Sequence, residues 1–184
     1  MKGYVHTIMG PMFSGKTSFL LHELERFARA GRKVVLFTAD SRADNPVVHS
    51  QRPLYQGISV VKSRDADRIW DESRAFDVVG VDEVQFYEPT VVKVLSGLAM
   101  EGRIVLASGL DQDFRAEPFM TTLRLVTESE KLTRLTSVCQ NCGSLMAIRT
   151  YRKVDSDGRI LEGAAEVYEA RCRDCMTMGP RLPV

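Results

Sequence analysis

The stretch GPMFSGKT at residues 10–17 spaces Gly10, Gly15, Lys16 and Thr17 as G-x-x-x-x-G-K-[ST]. In that pattern the loop Gly10, Pro11, Met12, Phe13, Ser14, Gly15 wraps peptide N–H groups around phosphate oxygens. The helix that follows aims its positive end at the same point. Lys16 then reaches the outer phosphates of a nucleotide, and the Thr17 hydroxyl is placed to ligate magnesium. A second group follows the apolar run VVGV: Asp82 and Glu83. At the carboxyl end of a buried strand they would face the phosphate loop across the same sheet edge. Asp82 suits the magnesium, and Glu83 suits a general base. The plainer alternative, two acids at a helix start, loses weight beside the phosphate loop. What Glu83 deprotonates decides the reaction class. Facing water it makes an ATPase; facing a substrate hydroxyl it makes a kinase, from which water must be excluded.

The four cysteines form two CxxC pairs, Cys139–Cys142 and Cys172–Cys175, with residues 143–171 between them. Four thiolates saturate a tetrahedral zinc, so the pattern predicts a closed structural site rather than a catalytic one. Free buried thiols and a redox dithiol are the competing readings. Strands over 147–154 and 166–170 would flank an excursion over 155–165, with zinc fixing its base. Such an excursion would serve a kinase as a lid, or an ATPase as a grip on nucleic acid.

The elements that position these groups read as alternating strands and helices. Strands are expected over 4–9, 34–37, 58–61, 78–81 and 104–107, and helices over 17–30, 65–74 and 88–100, the last with Pro89 in its first turn. Residues 40–56, polar with two prolines, read as a mobile loop. The expected fold class is α/β, a mostly parallel sheet of the P-loop NTPase type flanked by helices, with a small zinc-ribbon-like domain. The division falls near Val138: residues 1–137 form the nucleotide-binding domain, and residues 138–184 the zinc-binding domain and tail.

Composition narrows the function further. The 184 residues carry a formal net charge of +1, with 44% hydrophobic and 27% charged residues. That balance predicts no nucleic-acid partner and no membrane. The start of the chain runs directly into the glycine loop without a signal peptide, which points to the cytosol. His6, His22 and His49 carry no chemistry of their own in this reading. A nucleic-acid-dependent P-loop ATPase with a zinc ribbon is the rival function, and a non-catalytic nucleotide sensor is a weaker one.

GPMFSGKT, VDEVQF, the segment GLDQDFRAEPF at residues 109–119 and the paired CxxC together resemble the type II, cytosolic thymidine kinases in order and spacing. The resemblance runs from about residue 3 to residue 175. It implies an ATP-dependent kinase, using Mg2+ and a structural Zn2+, that phosphorylates the 5′-hydroxyl of thymidine and usually of deoxyuridine. It implies that Glu83 takes the hydroxyl proton, and that Asp40 and Arg42 lie near the phosphates. Gln85 and Phe86 follow the base as in the family. Leu110, Phe114 and Phe119 match residues around the thymine, Met12 lies against the same pocket, and Tyr168 matches a tyrosine that contacts the sugar. The base would be read by main chain near Gly163. A homotetramer and feedback inhibition by thymidine triphosphate are implied by the same likeness.

Overall fold

The structure, a computed structural model, describes residues 2–39, 57–154, 158 and 165–176. Six strands form one sheet: β1 (Tyr4–Gly10), β2 (Val34–Thr38), β3 (Ile58–Lys62), β4 (Val78–Asp82), β5 (Ile104–Leu110) and β6 (Lys131–Arg134), in the order β3-β2-β4-β5-β1-β6. Every neighbouring pair is parallel. The helices of this layer are α1 (Lys16–Arg29), α2 (Ala66–Ser73), α3 (Thr90–Met100) and α4 (Met120–Thr127). A second, two-stranded antiparallel sheet pairs β7 (Arg149–Arg152) with β8 (Tyr168–Arg171), and α5 (Arg173–Met176) follows it. Among the described residues, no helix is long and apolar enough to cross a membrane.

The five strands and three helices expected from periodicity are present, with ends shifted by up to three residues. Three elements of the structure had no counterpart in that reading: α4, β6 and α5. The sequence of β6, KLTR, is polar because the strand is an exposed edge; α4 is an eight-residue helix rich in threonine. Neither shows the apolar repeat by which longer elements declare themselves. The expected loop over 40–56 lies outside the described residues.

The central strands are apolar throughout because both faces are covered. On one face Leu20, Leu21 and Leu24 of α1 pack against Ile8, Val34, Leu36, Val78, Ile104 and Leu106. On the other, Val35, Phe37, Val79, Val81, Val105 and Ala107 meet Ile69 of α2, Val91, Leu95 and Leu98 of α3 and Leu125 of α4. Gly80 lets α1 come close: a Cβ there would stand 2.6 Å from Leu24 Cδ1. With all strands parallel, Gly10, Thr38, Asp82, Leu110 and Arg134 end at one edge, and the phosphate loop and the Asp82–Glu83 pair are delivered there.

Side-chain bonds close the β1–β6 edge. Thr7 and Ser129 hydroxyls meet at 2.6 Å, the Val5 N–H donates to Glu130 at 2.7 Å, and His6 Nε2 meets the Thr133 hydroxyl at 2.9 Å. His6 is buried, with Phe19 edge-on to its ring. Burial, with Lys131 adding repulsion and Glu23 opposing, lowers its pKa from 6.5 to about 4. The folded state therefore holds the neutral ring, while the unfolded chain takes up a proton near 6.5. The stabilisation from His6 is whole above pH 6.5 and is lost as pH falls toward 4. Urea midpoints measured across that window should drop for the native protein and flatten in slope for His6→Gln; equal slopes would remove His6 from the acid limb.

Candidate active site

The phosphate loop leaves β1 at Gly10 and enters α1 through Gly15, whose φ of 80° and ψ of 20° lie in the left-handed region open to glycine. Lys16 is buried and its Nζ donates to the Pro11 carbonyl at 2.8 Å; the Ser14 hydroxyl donates to the same oxygen, also at 2.8 Å. Burial lowers the Lys16 pKa, and the nearby Glu83, Asp82 and Asp111 carboxylates oppose that effect. Phe13 is exposed, with a φ of 62°. Met12 is half-buried and its N–H donates to the Thr150 hydroxyl at 3.1 Å.

Thr17 and Asp82, 65 residues apart, meet directly: the threonine hydroxyl donates to Asp82 Oδ2 at 2.8 Å. Asp82 Oδ1 accepts from Ser108 Oγ and, at 3.0 Å, from the Glu83 N–H. Burial, with the neighbouring Glu83 charge, raises the Asp82 pKa to about 6, against the pull of those donors. Lys16 is the positive group near this carboxylate. The 2.8 Å Thr17–Asp82 separation fits a magnesium ion, since adjacent ligands of an octahedral ion at ~2.0–2.1 Å stand ~2.8–3.0 Å apart. Thr17 and Asp82 would hold that ion.

Glu83 is a different kind of carboxylate. Its φ of 55° turns the chain out of β4 into the 3-10 turn Val84–Phe86, a left-handed conformation that costs a non-glycine residue roughly 1–2 kcal/mol. The turn puts Glu83 half-exposed at the sheet edge while Asp82 stays buried. Gln85 Nε2 donates to Glu83 Oε2, and Gln85 Oε1 accepts the Leu110 N–H at 3.0 Å. The other Glu83 oxygen has no hydrogen-bond partner among the described residues. Gln85 thus spends both ends of its amide inside the protein, tying Glu83 to β5.

The remaining expected pocket residues converge on the same edge. Phe86 is half-buried, with the Arg64 guanidinium 5.6 Å from its ring centroid and bonded to the Ala39 carbonyl at 2.9 and 3.1 Å. Leu110 ends β5, Phe119 is buried at the start of α4, and Phe114 lies between them in a tight loop. The Asp113 carboxylate shapes that loop by accepting the Arg115 and Glu117 N–H groups, each at 2.9 Å. Tyr168 is buried on β8. Asp40, Arg42 and Gly163 lie outside the described residues.

The four cysteine sulfurs lie within 4.8 Å of one another, Cys142 and Cys172 at 3.7 Å. A tetrahedron of ~2.3 Å bonds to zinc has edges of ~3.8 Å, so the Cys142–Cys172 pair matches that ion and the widest pair would draw in by up to about 1 Å. Gly143 closes the first knuckle with an N–H bond to the Cys139 carbonyl at 2.8 Å. Gln140 stitches the two knuckles together, bonding both polar backbone groups of Ala170. The unit is docked on the site: Ser137, bridged to Ala147, donates to the Phe13 carbonyl at 3.0 Å, and Gln112 donates to the Ile148 carbonyl at 2.6 Å. Ser108, Thr150 and Arg152 take part in this framework and were missing from the sequence reading. The last two alternate in RTYR with half-exposed neighbours, a period-two signal of one buried strand face. A separate cavity of about 400 Å³ lies at the opposite sheet edge, beside Arg32, Phe76 and Arg103; none of the paired carboxylates or cysteines lines it.

A family model described as thymidine kinase matches residues 3–176. A thymidine kinase of Pyrobaculum aerophilum is 40% identical over 176 residues, covering 90% of this chain and 94% of that protein. One of Mycoplasma genitalium is 39% identical over 178 residues (94% and 82% covered), and one of Thermococcus kodakarensis 38% over 184 residues (94% and 93%). Among solved structures, an ATPase domain superposes with a TM-score of 0.56 over 72% of this chain and 69% of that one, at 12% identity, a likeness of fold alone.

Gln85→Ala leaves the Leu110 N–H without its acceptor. An unpaired, part-buried donor should lower stability by about 1–2 kcal/mol in urea unfolding; an unchanged midpoint would mean the amide pins nothing.

Proposed function

This chain belongs to the thymidine kinase family, and from that premise we propose how its residues divide the work of transferring a phosphoryl group from ATP to thymidine. The observation that carries the assignment is the pair of adjacent carboxylates in unlike surroundings. Asp82 is buried and bonded at both oxygens, Thr17 among its donors; Glu83 is half-exposed, held by one oxygen and open at the other. The first arrangement suits charge storage beside a cation. The second suits proton transfer.

In this reading the loop from Gly10 to Gly15 and Lys16 hold the donor phosphates, and Thr17 with Asp82 holds Mg2+, which supplies charge neutralisation when bound. Asp40 and Arg42 complete the phosphate side. The 5′-oxygen of thymidine bonds to the γ-phosphorus as the bond to the bridging oxygen of ADP breaks; Glu83 accepts the hydroxyl proton late in the transfer. Met12, Phe86, Leu110, Phe114, Phe119 and Tyr168 surround the nucleoside, with main chain near Gly163 reading the base edge. Aromatic faces suit thymine, which is flat and largely apolar. Deoxyuridine, lacking only the methyl group, is the expected second substrate.

The four cysteines hold a structural Zn2+ in this proposal, and residues 138–184 form a small domain on the nucleotide-binding domain of residues 1–137. A homotetramer, inhibition by thymidine triphosphate and a cytosolic location complete the reading on the family resemblance. The rival, a nucleic-acid-dependent ATPase, has only a shared fold behind it, against relatives near 40% identity over most of the chain.

Glu83→Gln should bind thymidine normally yet lose about 10²–10⁴-fold in kcat, measured by steady-state kinetics beside calorimetric binding. Near-normal turnover would take the base role away from Glu83. For the metal, Cys172→Ser should reduce bound zinc by elemental analysis, raise the thymidine KM and make residues 147–170 more sensitive to protease. A variant unchanged in all three would refute a zinc-pinned unit.

A further inference from the structure

The small sheet turns one face toward the site. Antiparallel pairing sets Arg152 opposite Tyr168 and Thr150 opposite Ala170. Directly paired residues share a face, and these four are all buried, whereas Arg149, Tyr151, Glu169 and Arg171 are half-exposed on the other side. An arginine on the buried face requires a reason, because its charge must be accommodated away from water. Arg152 is 9% exposed, and its guanidinium carbon stands 3.7 Å from the centroid of the Phe114 ring. Its Nη1 donates to the Gly158 carbonyl. A planar guanidinium can do both at once, stacking by its face and donating from its edge; an ammonium cannot.

Phe114 is held from its own side as well. Its loop is shaped by Asp113 and tied to β7 through Gln112, which donates to the Ile148 carbonyl and accepts from Arg149. These bonds hold the loop backbone, and the guanidinium at 3.7 Å is a contact on the half-buried ring itself. Arg115, an exposed neighbour, also lies over the Phe114 ring, but farther off at 5.1 Å and in solvent, so its contact is the weaker of the two.

We propose that Arg152 is a nucleoside-positioning residue: stacked on Phe114 and paired across the strand with Tyr168, it fixes the aromatic wall against which the pyrimidine nucleoside binds. It acts through Phe114 and has no part in proton transfer or phosphate binding. This inference rests on the reading above that Phe114 borders the nucleoside.

The test uses the full-length enzyme, with thymidine affinity by calorimetry and steady-state kinetics for Arg152→Ala, Arg152→Lys, Arg115→Ala and Phe114→Leu. Arg152→Ala should raise the thymidine Kd and KM about tenfold, the scale of one desolvated cation–π contact, with kcat within about twofold and the ATP KM unchanged. Arg152→Lys, keeping the charge without the plane, should fall between at about threefold. The proposal is overturned if thymidine affinity is unchanged, if kcat and the ATP KM shift as much as the thymidine KM, or if Arg115→Ala matches Arg152→Ala. Should Arg152→Ala not fold, as judged by thermal melting, Arg152→Lys decides by the same criteria. Phe114→Leu separates the two levels. Unchanged thymidine affinity in that variant removes Phe114 from the nucleoside wall altogether; a raised thymidine Kd there, with both Arg152 variants normal, removes only Arg152.

Discussion

The structure depends on one contact between distant parts of the chain, the Thr17 hydroxyl on the Asp82 carboxylate at 2.8 Å. Thr17 belongs to the first turn of α1 and Asp82 to the last position of β4, and β5 lies between β1 and β4 in the sheet. The two can meet only if all three strands run the same way and end level. The register does this: Gly10 pairs with Leu110, and Val81 with Ala107. β5 also contributes directly, since Ser108 supplies a second donor to Asp82. Crossovers over a parallel sheet thus bring residues 65 positions apart into hydrogen-bond contact at one edge.

Beside that contact, one peptide bond separates two carboxylates in opposite surroundings. The strand carries Asp82 into the interior, where burial and the adjacent charge push its pKa up to about 6. A left-handed residue then throws Glu83 outward, and the Gln85 amide fastens it to the end of β5. The conformational strain at Glu83 is small beside the packing of the strand that precedes it, buried along its whole length. The difference in their surroundings is set by backbone direction.

The cysteine unit contributes by position. Ser137, Ile148, Thr150 and Arg152 around it bond or pack against the phosphate loop and the Asp111–Phe119 loop. A small sheet of two four-residue strands has too little apolar surface to hold its shape alone. A metal-sized cluster of four thiolates can supply the missing constraint, and the rigid sheet then presents Tyr168, Thr150 and Arg152 toward the nucleotide-binding layer.

By itself the sequence determined the parts whose chemistry is local. The GxxxxGKT spacing, the apolar run before Asp82, the CxxC pairs and the helical and strand periods were each legible because each needs only a few neighbouring residues. The elements it hid were those without a repeat, polar β6 and threonine-rich α4; in RTYR a strand was legible, but not that Thr150 and Arg152 face the site. Only the tertiary structure decided which groups meet, that Ser108 serves Asp82, that Gln85 serves Glu83, and that a guanidinium lies on Phe114. Such pairings depend on the register of strands and the order of the sheet, and those are settled by packing across the whole fold, which no local spacing encodes.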